Sequence, residues 1–183
     1  MLKWFIRRRL MAFEKTYGYD ASYAHELLEA DLAAVLAFAR IQAMGTYRKG
    51  APKAAWYAAK LVGTMTEDCG PCTQLNVTMA LRDGVDGKQL AAVLAGDELA
   101  MSPDVVLAVR FARASLAHDL AADEHREEVV RRWGAKGLIS LAFALTVARV
   151  YPTIKYALGH GKACARITVG DEPVPVARPP LAS

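Results

Sequence analysis

The chain has 183 residues, of which 54% are hydrophobic and 23% are charged. These proportions indicate one soluble globular domain, large enough to bury about 70% of the surface of its unfolded chain. The longest run without a charged residue has 13 residues. Because a membrane-spanning helix needs about 18 or more apolar residues, we expect no transmembrane segment.

The net charge of +4 is confined to residues 1–15, and the remainder has 18 basic and 18 acidic residues. A short basic arm without a recognised DNA- or RNA-binding motif does not indicate a nucleic-acid-binding protein. In this arm Trp4, Phe5, Leu10 and Phe13 are predicted on one side of a helix. Such an arm could lie on an acidic membrane surface or pack against a partner subunit.

Helices are predicted almost throughout, because apolar residues recur at helical spacing and strand-like alternation is nearly absent. In chain order, the predicted helices cover residues 2–14, about 20–44, 52 to a turn at 63–68, 70–82, 88–95, 103–120, 123–134 and 136–159. We therefore predict an all-α fold, with one helical domain over residues 1–169. A short extended piece at 165–169 and a Pro-rich flexible tail at 170–183 follow.

Three cysteines occur, at positions 69, 72 and 164. An odd and low count does not make a disulfide scaffold, so we expect a reducing, cytoplasmic location. The first ten residues have their basic groups after the apolar ones, which is the wrong order for a secretory signal. In a reducing compartment, two cysteines spaced C-x-x-C indicate redox chemistry or metal binding.

The chemistry is predicted at the sequence Glu67-Asp68-Cys69-Gly70-Pro71-Cys72. A reactive thiol must ionise, and the unpaired N–H groups at a helix N-terminus favour the thiolate. Proline is typical of a first helical turn, so the spacing predicts Cys69 at the cap and Cys72 within the first turn. A carboxylate at Glu67 could take a proton from a thiol, but its charge would also oppose thiolate formation.

Three interpretations of the cysteine pair remain open. The pair could be two small residues at a buried helix start. It could bind zinc together with His160 and Cys164, which are spaced H-x-x-x-C. It could perform thiol–disulfide or peroxide chemistry, which we favour. In that case His160 is the histidine that we would test, whereas His118 is expected to cap a helix end.

The tetrapeptide Cys-Gly-Pro-Cys also occurs in thioredoxins, but here no buried strand precedes it. An all-helical chain with C-x-x-C opening a helix resembles the carboxymuconolactone decarboxylase superfamily, in its alkyl hydroperoxidase D-like branch. The resemblance covers about residues 52–164 and rests on EDCGPCTQLNVTMALRDGVDGKQLAAVLAGD and on the apolar helix SLAFALTVARVYPTIKYALG. It implies a helical homo-oligomer whose cysteine pair reduces hydroperoxides through a sulfenic acid and a disulfide, with no bound cofactor.

Two positions depart from the family pattern. The family's motif has a histidine four residues after the second cysteine, where this chain has Asn76. The family also has an upstream glutamate, and this chain has no acidic residue between Asp31 and Glu67. Another group, such as Glu67 or His160, would have to move protons.

We therefore predict a thiol oxidoreductase in which Cys69 and Cys72 are catalytic and Glu67 and His160 are candidate proton-transfer groups. The expected partners are a small hydroperoxide or disulfide substrate, an external dithiol reductant and further copies of the chain. We expect Cys72, which lies deeper in the helix, to attack the peroxide, and an exposed Cys69 to resolve the sulfenic acid by forming the disulfide. By analogy with thioredoxins, Cys69 would instead be the attacking thiol. The alternative is a non-enzymatic helical oligomer whose cysteines are structural, metal-binding or redox-sensing.

Overall fold

The computed structural model describes residues 1–162 and 166–177. Within these residues the chain forms eight α-helices, one short 3₁₀ helix and a two-stranded hairpin, so the predicted all-α class is confirmed. The helices are α1 Leu2–Tyr17, α2 Ser22–Ala30, α3 Leu32–Thr46, α4 Lys53–Thr66, α5 Gly70–Arg82, α6 Gly87–Ala95, α7 Pro103–Ala117 and α8 Ala121–Ala157, with the 3₁₀ turn Glu98–Ala100 and the strands β1 Ile167–Val169 and β2 Glu172–Val174.

The helix predicted for residues 20–44 is in fact two helices, so that prediction was wrong. Asp31 is extended, with φ −156° and ψ 123°, and separates α2 from α3. Its side chain accepts a hydrogen bond of 2.9 Å from the backbone N–H of Ala33. This is the bond by which an aspartate begins a helix, so the residue acts as an N-cap inside an otherwise continuous apolar pattern.

Helix α4 lies at the centre of the main core, where it packs against α5, α7 and α8. Side chains that are fully buried in this core include Leu61, Leu90, Leu94, Val105, Val109 and Leu141. A second, smaller apolar cluster joins α1 and α2 to α5 and α8 around Tyr19 and Tyr23. This smaller cluster holds the N-terminal helices over the beginning of α5.

Helix α8 is interrupted at Gly134, whose φ of 67° and ψ of 179° are not helical. The predicted boundary at this glycine is therefore confirmed. In the described part of the chain, α8 is the one helix long and apolar enough to cross a membrane, and 44% of its apolar window is buried inside the fold. Core helices of soluble proteins also meet this criterion, so the expected lack of a transmembrane segment stays a prediction.

The two strands form an antiparallel hairpin in which Ile167 pairs with Val174. Ile167 is buried in the main core, and Val174 and Val176 pack against it. The backbone N–H of Ala177 also donates to the carbonyl of Leu94 at 2.7 Å. The flexible tail predicted for residues 170–183 is therefore corrected for residues 170–177, and residues 178–183 lie outside the described residues.

Candidate active site

The two cysteines occupy the positions predicted from their spacing. Cys69 is the N-cap of α5, with extended φ and ψ, and Pro71 lies in the first turn. The carbonyl of Cys69 accepts hydrogen bonds from the backbone N–H of Thr73 at 2.9 Å and from its hydroxyl at 3.0 Å. The sulfur of Cys69 therefore lies at the end of α5 where backbone N–H groups have no helical partner.

Both thiols are free and buried. Cys69 is 0% exposed and Cys72 is 3% exposed, so the expectation that Cys69 is exposed was wrong. The N-terminal segment lies over the pair: the Tyr19 hydroxyl lies 3.9 Å from the sulfur of Cys72, and Tyr23 is close enough to Cys69 for the charge of that thiolate to add to burial in raising the tyrosine pKa. A substrate can reach either sulfur only if the covering residues move.

The two sulfurs have opposite tendencies to ionise. A hydrogen bond from the Cys72 thiol is the main cause that lowers the pKa of Cys69 to about 7. Burial opposes this change, and the backbone N–H of Cys72 and the charge of Lys155 add to it. The same thiol–thiolate hydrogen bond, together with burial, raises the pKa of Cys72 well above its ordinary value.

Lys155 brings a positive charge to the buried thiols. It is 2% exposed, and its ammonium group donates to the Tyr19 hydroxyl at 3.3 Å. The same group lies 4.7 Å from the centre of the Tyr19 ring and 5.5 Å from that of Tyr23. A buried lysine needs such partners, because an isolated ammonium in an apolar interior is strongly unfavourable.

Cys69, Cys72, Tyr19, Tyr23 and Lys155 thus form one buried group, which we call the thiol–tyrosine–lysine cluster. Burial is also the main cause that raises the pKa of both tyrosines, so they remain neutral hydroxyl groups. The cluster therefore contains one cation, Lys155, and one thiol that ionises near neutral pH. An ammonium and a thiolate compensate each other's charge in this buried setting.

Asn76 stands where the resembled family has its histidine. It is 8% exposed, and its amide nitrogen donates to the carbonyl of Cys72 at 3.2 Å. An amide does not titrate, so this side chain holds the first turns of α5 and transfers no proton.

Glu67 is directed to an ion pair rather than to a thiol. Its carboxylate accepts a hydrogen bond of 2.5 Å from Arg149 on α8. The following residue, Asp68, has a φ of +47°, and its carbonyl accepts a hydrogen bond of 2.9 Å from the Tyr156 hydroxyl. The turn before Cys69 is thus bonded to α8 at two points.

His160 has both ring nitrogens engaged by α2. Nδ1 lies 3.1 Å from the Ser22 hydroxyl, and Nε2 lies 2.6 Å from the Glu26 carboxylate. His118 ends α7 in the left-handed conformation, as expected for a helix-end residue. The structure thus brings together Cys69 and Cys72, but it directs the polar atoms of Glu67 and His160 to other partners.

The zinc set Cys69, Cys72, His160 and Cys164 includes a residue outside the described ranges, Cys164. Among residues 1–162 and 166–177, no three His, Cys, Asp or Glu side chains are grouped so that they could hold a metal ion. The chemistry available to the described residues at this site is therefore that of two adjacent thiols beside a cation.

Tyr19, Tyr23 and Lys155 were missed in the sequence interpretation. One signal was present for the lysine, which interrupts the apolar helix end YPTIKYAL at the position of a core residue. The tyrosines lie in the segment YGYDASY, where aromatic residues are more often ordinary core residues. Only the packing of α1 and α2 over α5 shows that they contact a thiol.

Comparison of the chain with protein-family models, with curated proteins and with solved structures finds no match. The functional interpretation therefore rests on the cluster itself.

Proposed function

We propose that this protein is a thiol oxidoreductase of the alkyl hydroperoxidase D-like type, which reduces a hydroperoxide or a disulfide through Cys69 and Cys72. The observation that carries the proposal is a pair of free, buried cysteines at the first turn of α5, where the interaction with Cys72 lowers the pKa of Cys69 to about 7. About half of such a thiol is ionised at pH 7, against about 3% of an ordinary cysteine.

Cys69 is the attacking thiolate, and Cys72 is the resolving thiol. With a hydroperoxide, the Cys69 sulfur attacks the terminal oxygen and the O–O bond breaks. This step gives a sulfenic acid and an alkoxide, which takes one proton from solvent to become an alcohol. The Cys72 sulfur then attacks the sulfenic sulfur, a disulfide forms, and the hydroxyl leaves as water with the Cys72 proton.

With a disulfide substrate, the Cys69 thiolate attacks one sulfur, and the other sulfur leaves as a thiolate. Cys72 then attacks Cys69 in the mixed disulfide, which releases the second substrate thiol. In both reactions an external dithiol returns two electrons and two protons to the pair. No bound cofactor takes part.

An apolar groove of about 460 Å³ lies between α2, α3 and α8, beside the cluster but not lined by either cysteine. Phe38 lines this groove and packs edge-to-face on Tyr23, with their ring centres 6.0 Å apart. Tyr23 thus connects this groove to the thiol–tyrosine–lysine cluster, and a substrate bound in the groove would reach the sulfurs only after the cluster opens. The apolar lining favours a hydroperoxide or disulfide with an apolar substituent.

The test is turnover in the full chain carrying Cys164→Ala, so that two thiols remain. We expect an organic hydroperoxide to form one Cys69–Cys72 disulfide per chain, and dithiothreitol to restore catalytic consumption of peroxide. Cys69→Ser should abolish consumption, whereas Cys72→Ser should allow a sulfenic acid to be trapped on Cys69. If neither hydroperoxide nor a small disulfide oxidises the pair, the proposal is wrong.

Burial of both sulfurs favours one second candidate, a redox sensor without turnover. In that case one disulfide forms per chain, but peroxide consumption stops after a single equivalent even with excess dithiothreitol. Metal analysis of the purified protein tests the zinc alternative, since a stoichiometric ion that is lost in Cys164→Ala would support it.

We further propose that the protein acts in the cytoplasm, where the pair is returned to its thiol form, and that it assembles into a homo-oligomer. Helix α3 supports the second point because it is apolar and has one charged residue, Arg40, yet most of its surface is exposed. Sedimentation of the purified chain distinguishes a monomer from a trimer or hexamer.

A further inference from the structure

Helix α1 is held to the molecule along one side only. Leu10, Phe13 and Tyr17 pack on the smaller apolar cluster, and no residue of α1 is fully buried. On the opposite side of the helix the side chains are exposed in the described part of the chain. We call this side the outward face of α1, and its residues are Trp4, Phe5, Arg8, Arg9, Met11 and Lys15.

Large apolar side chains lie exposed on this outward face. Trp4 is 60% exposed, Phe5 is 54% exposed and Met11 is 57% exposed. The expectation that Trp4 and Phe5 share a side with Leu10 and Phe13 was therefore wrong. Three large apolar groups on one exposed helix face mark an interaction surface, whereas single exposed apolar residues need no explanation.

The outward face is also basic, and the nearby acidic groups are directed away from it. Arg8 lies with its guanidinium carbon 5.0 Å from the centre of the Trp4 ring, and Arg9 and Lys15 are exposed. Glu14, the only acidic residue among residues 1–19, points inward, where it accepts from the backbone N–H of Ala21 at 3.0 Å.

The other contacts of α1 strengthen this separation of charge. Arg7 forms an ion pair with Glu29 of α2, and His25 lies 3.1 Å from the second carboxylate oxygen of Glu14. Both acidic groups near α1 are thus engaged on its inner side. The outward face is left with three basic side chains and no acidic one.

We propose that the outward face of α1 binds the surface of an anionic lipid bilayer. Trp and Phe side chains are favoured at the level of the headgroups, and Arg and Lys can reach lipid phosphates while their stems cover apolar surface. Three exposed basic side chains match a negative surface. A nucleic acid would satisfy the charges, but it gives no reason for three large apolar side chains beside them. The binding does not depend on the thiols.

The experiment uses the full chain and two vesicle preparations, phosphatidylcholine alone and phosphatidylcholine with phosphatidylserine. We expect flotation with the anionic vesicles only, and weaker binding as salt is raised. Brominated phosphatidylcholine in the anionic vesicles should quench Trp4 fluorescence. Trp4→Phe should remove most of that quenching and keep the binding, since Trp56 is only 4% exposed and Trp133 of α8 is partly buried against the main core.

Charge variants distinguish binding at the outward face of α1 from nonspecific attraction by basic residues elsewhere on the protein. Arg8→Gln with Arg9→Gln should lower the apparent affinity for anionic vesicles about 30-fold, from about 1 kcal/mol for each basic side chain. The matched control is Arg126→Gln with Arg131→Gln on α8, which removes the same charge and should leave the affinity unchanged. Equal losses in the two double variants would contradict a site on α1.

Three further outcomes would overturn the proposal. The first is binding to neutral and anionic vesicles alike, which would make the contact purely apolar. The second is that the full chain does not bind vesicles, while deletion of residues 1–15 changes the oligomer mass. This result would identify a second copy of the chain as the occupant of the outward face. The third is tighter binding of duplex DNA or RNA than of anionic vesicles at the same salt concentration.

Discussion

At the scale of single residues, the pKa of Cys69 depends more on the neighbouring Cys72 side chain than on the backbone N–H groups at the helix start. A buried thiol ionises less readily than an exposed one, because burial disfavours the charged form. Here the hydrogen bond from the Cys72 thiol outweighs burial, and the backbone N–H of Cys72 and Lys155 contribute less. The sequence predicted the helix start, but not that a thiol would donate the principal bond.

Cys72→Ala should therefore raise the pKa of Cys69 from about 7 to at least that of an ordinary cysteine, about 8.5. Lys155→Met should raise it by less, because the charge of this lysine is a smaller cause. The measurement is the pH dependence of Cys69 alkylation, followed by mass spectrometry. The control is Lys60→Met, which removes another lysine whose burial lowers its pKa to about 8. A Cys69 pKa unchanged by Cys72→Ala would contradict the assigned donor.

The pKa of Cys69 also predicts how stability depends on pH. The group ionises near pH 7 in the folded chain and nearer pH 8.5 when unfolded, so between these values the unfolded state binds more protons. Stability from this group is complete above the unfolded pKa and is lost as pH falls through about 7. Urea unfolding of the reduced protein should show this rise between pH 7 and 8.5, and Cys69→Ser should reduce it. If the free energy of unfolding rises more steeply with pH in Cys69→Ser than in the unsubstituted chain, the downward shift assigned to the Cys69 pKa is wrong.

At the scale of helices, local sequence signals predicted most boundaries, and the exceptions have a physical reason. Asp86 caps α6 by accepting from the Lys88 N–H at 2.9 Å, and Gly134 interrupts α8, both as predicted. The interruption at Asp31 was missed because no glycine or proline marks it and apolar residues continue on both sides. An aspartate can lie within a helix or begin one, and local sequence alone does not decide which.

Gly63 shows a packing requirement that helix propensity alone would hide. A Cβ atom at this position of α4 would lie 2.9 Å from the backbone oxygen of Leu145 and 3.0 Å from the Cβ of Ala148, both on α8. Gly63→Ala should therefore lower the free energy of unfolding by about 1–3 kcal/mol, as expected for overpacking. Propensity alone predicts a gain of about 1 kcal/mol. Urea denaturation of both proteins gives the sign of the change in the free energy of unfolding. If Gly63→Ala is more stable than the unsubstituted chain, α4 and α8 can move apart at little cost.

At the scale of the whole molecule, the N-terminal segment lies over the buried thiols, through Tyr19. Tyr19 follows α1 directly, and the contacts that join it to Cys72 and Lys155 span 53 and 136 residues of sequence. The spacing of apolar residues along the sequence does not reveal contacts between residues that are so far apart in the chain. The sequence therefore predicted the helical class and the position of the cysteine pair at a helix start, but not the buried setting of the pair.

Phe13 is the side chain through which α1 holds this cover in place. Its ring centre lies 4.9 Å from that of Tyr17 and 5.9 Å from that of Tyr19. Phe13→Ala should let the segment open more often, since regions with few buried contacts open locally at low free energy. We expect the alkylation rate of Cys69, measured well above its pKa, to rise several-fold while the midpoint of the pH profile stays near 7.

Phe143→Ala is the matched control for this change in access. Phe143 is also half-buried and packs edge-to-face on one aromatic ring, that of Tyr47, at 5.6 Å. It lies in the apolar half of α8 and belongs to neither α1 nor α2, so its loss should leave the alkylation rate unchanged. If both variants accelerate alkylation equally, the thiols become accessible by global loosening of the bundle. If only Phe13→Ala does so, movement of the N-terminal cover controls access to the cluster.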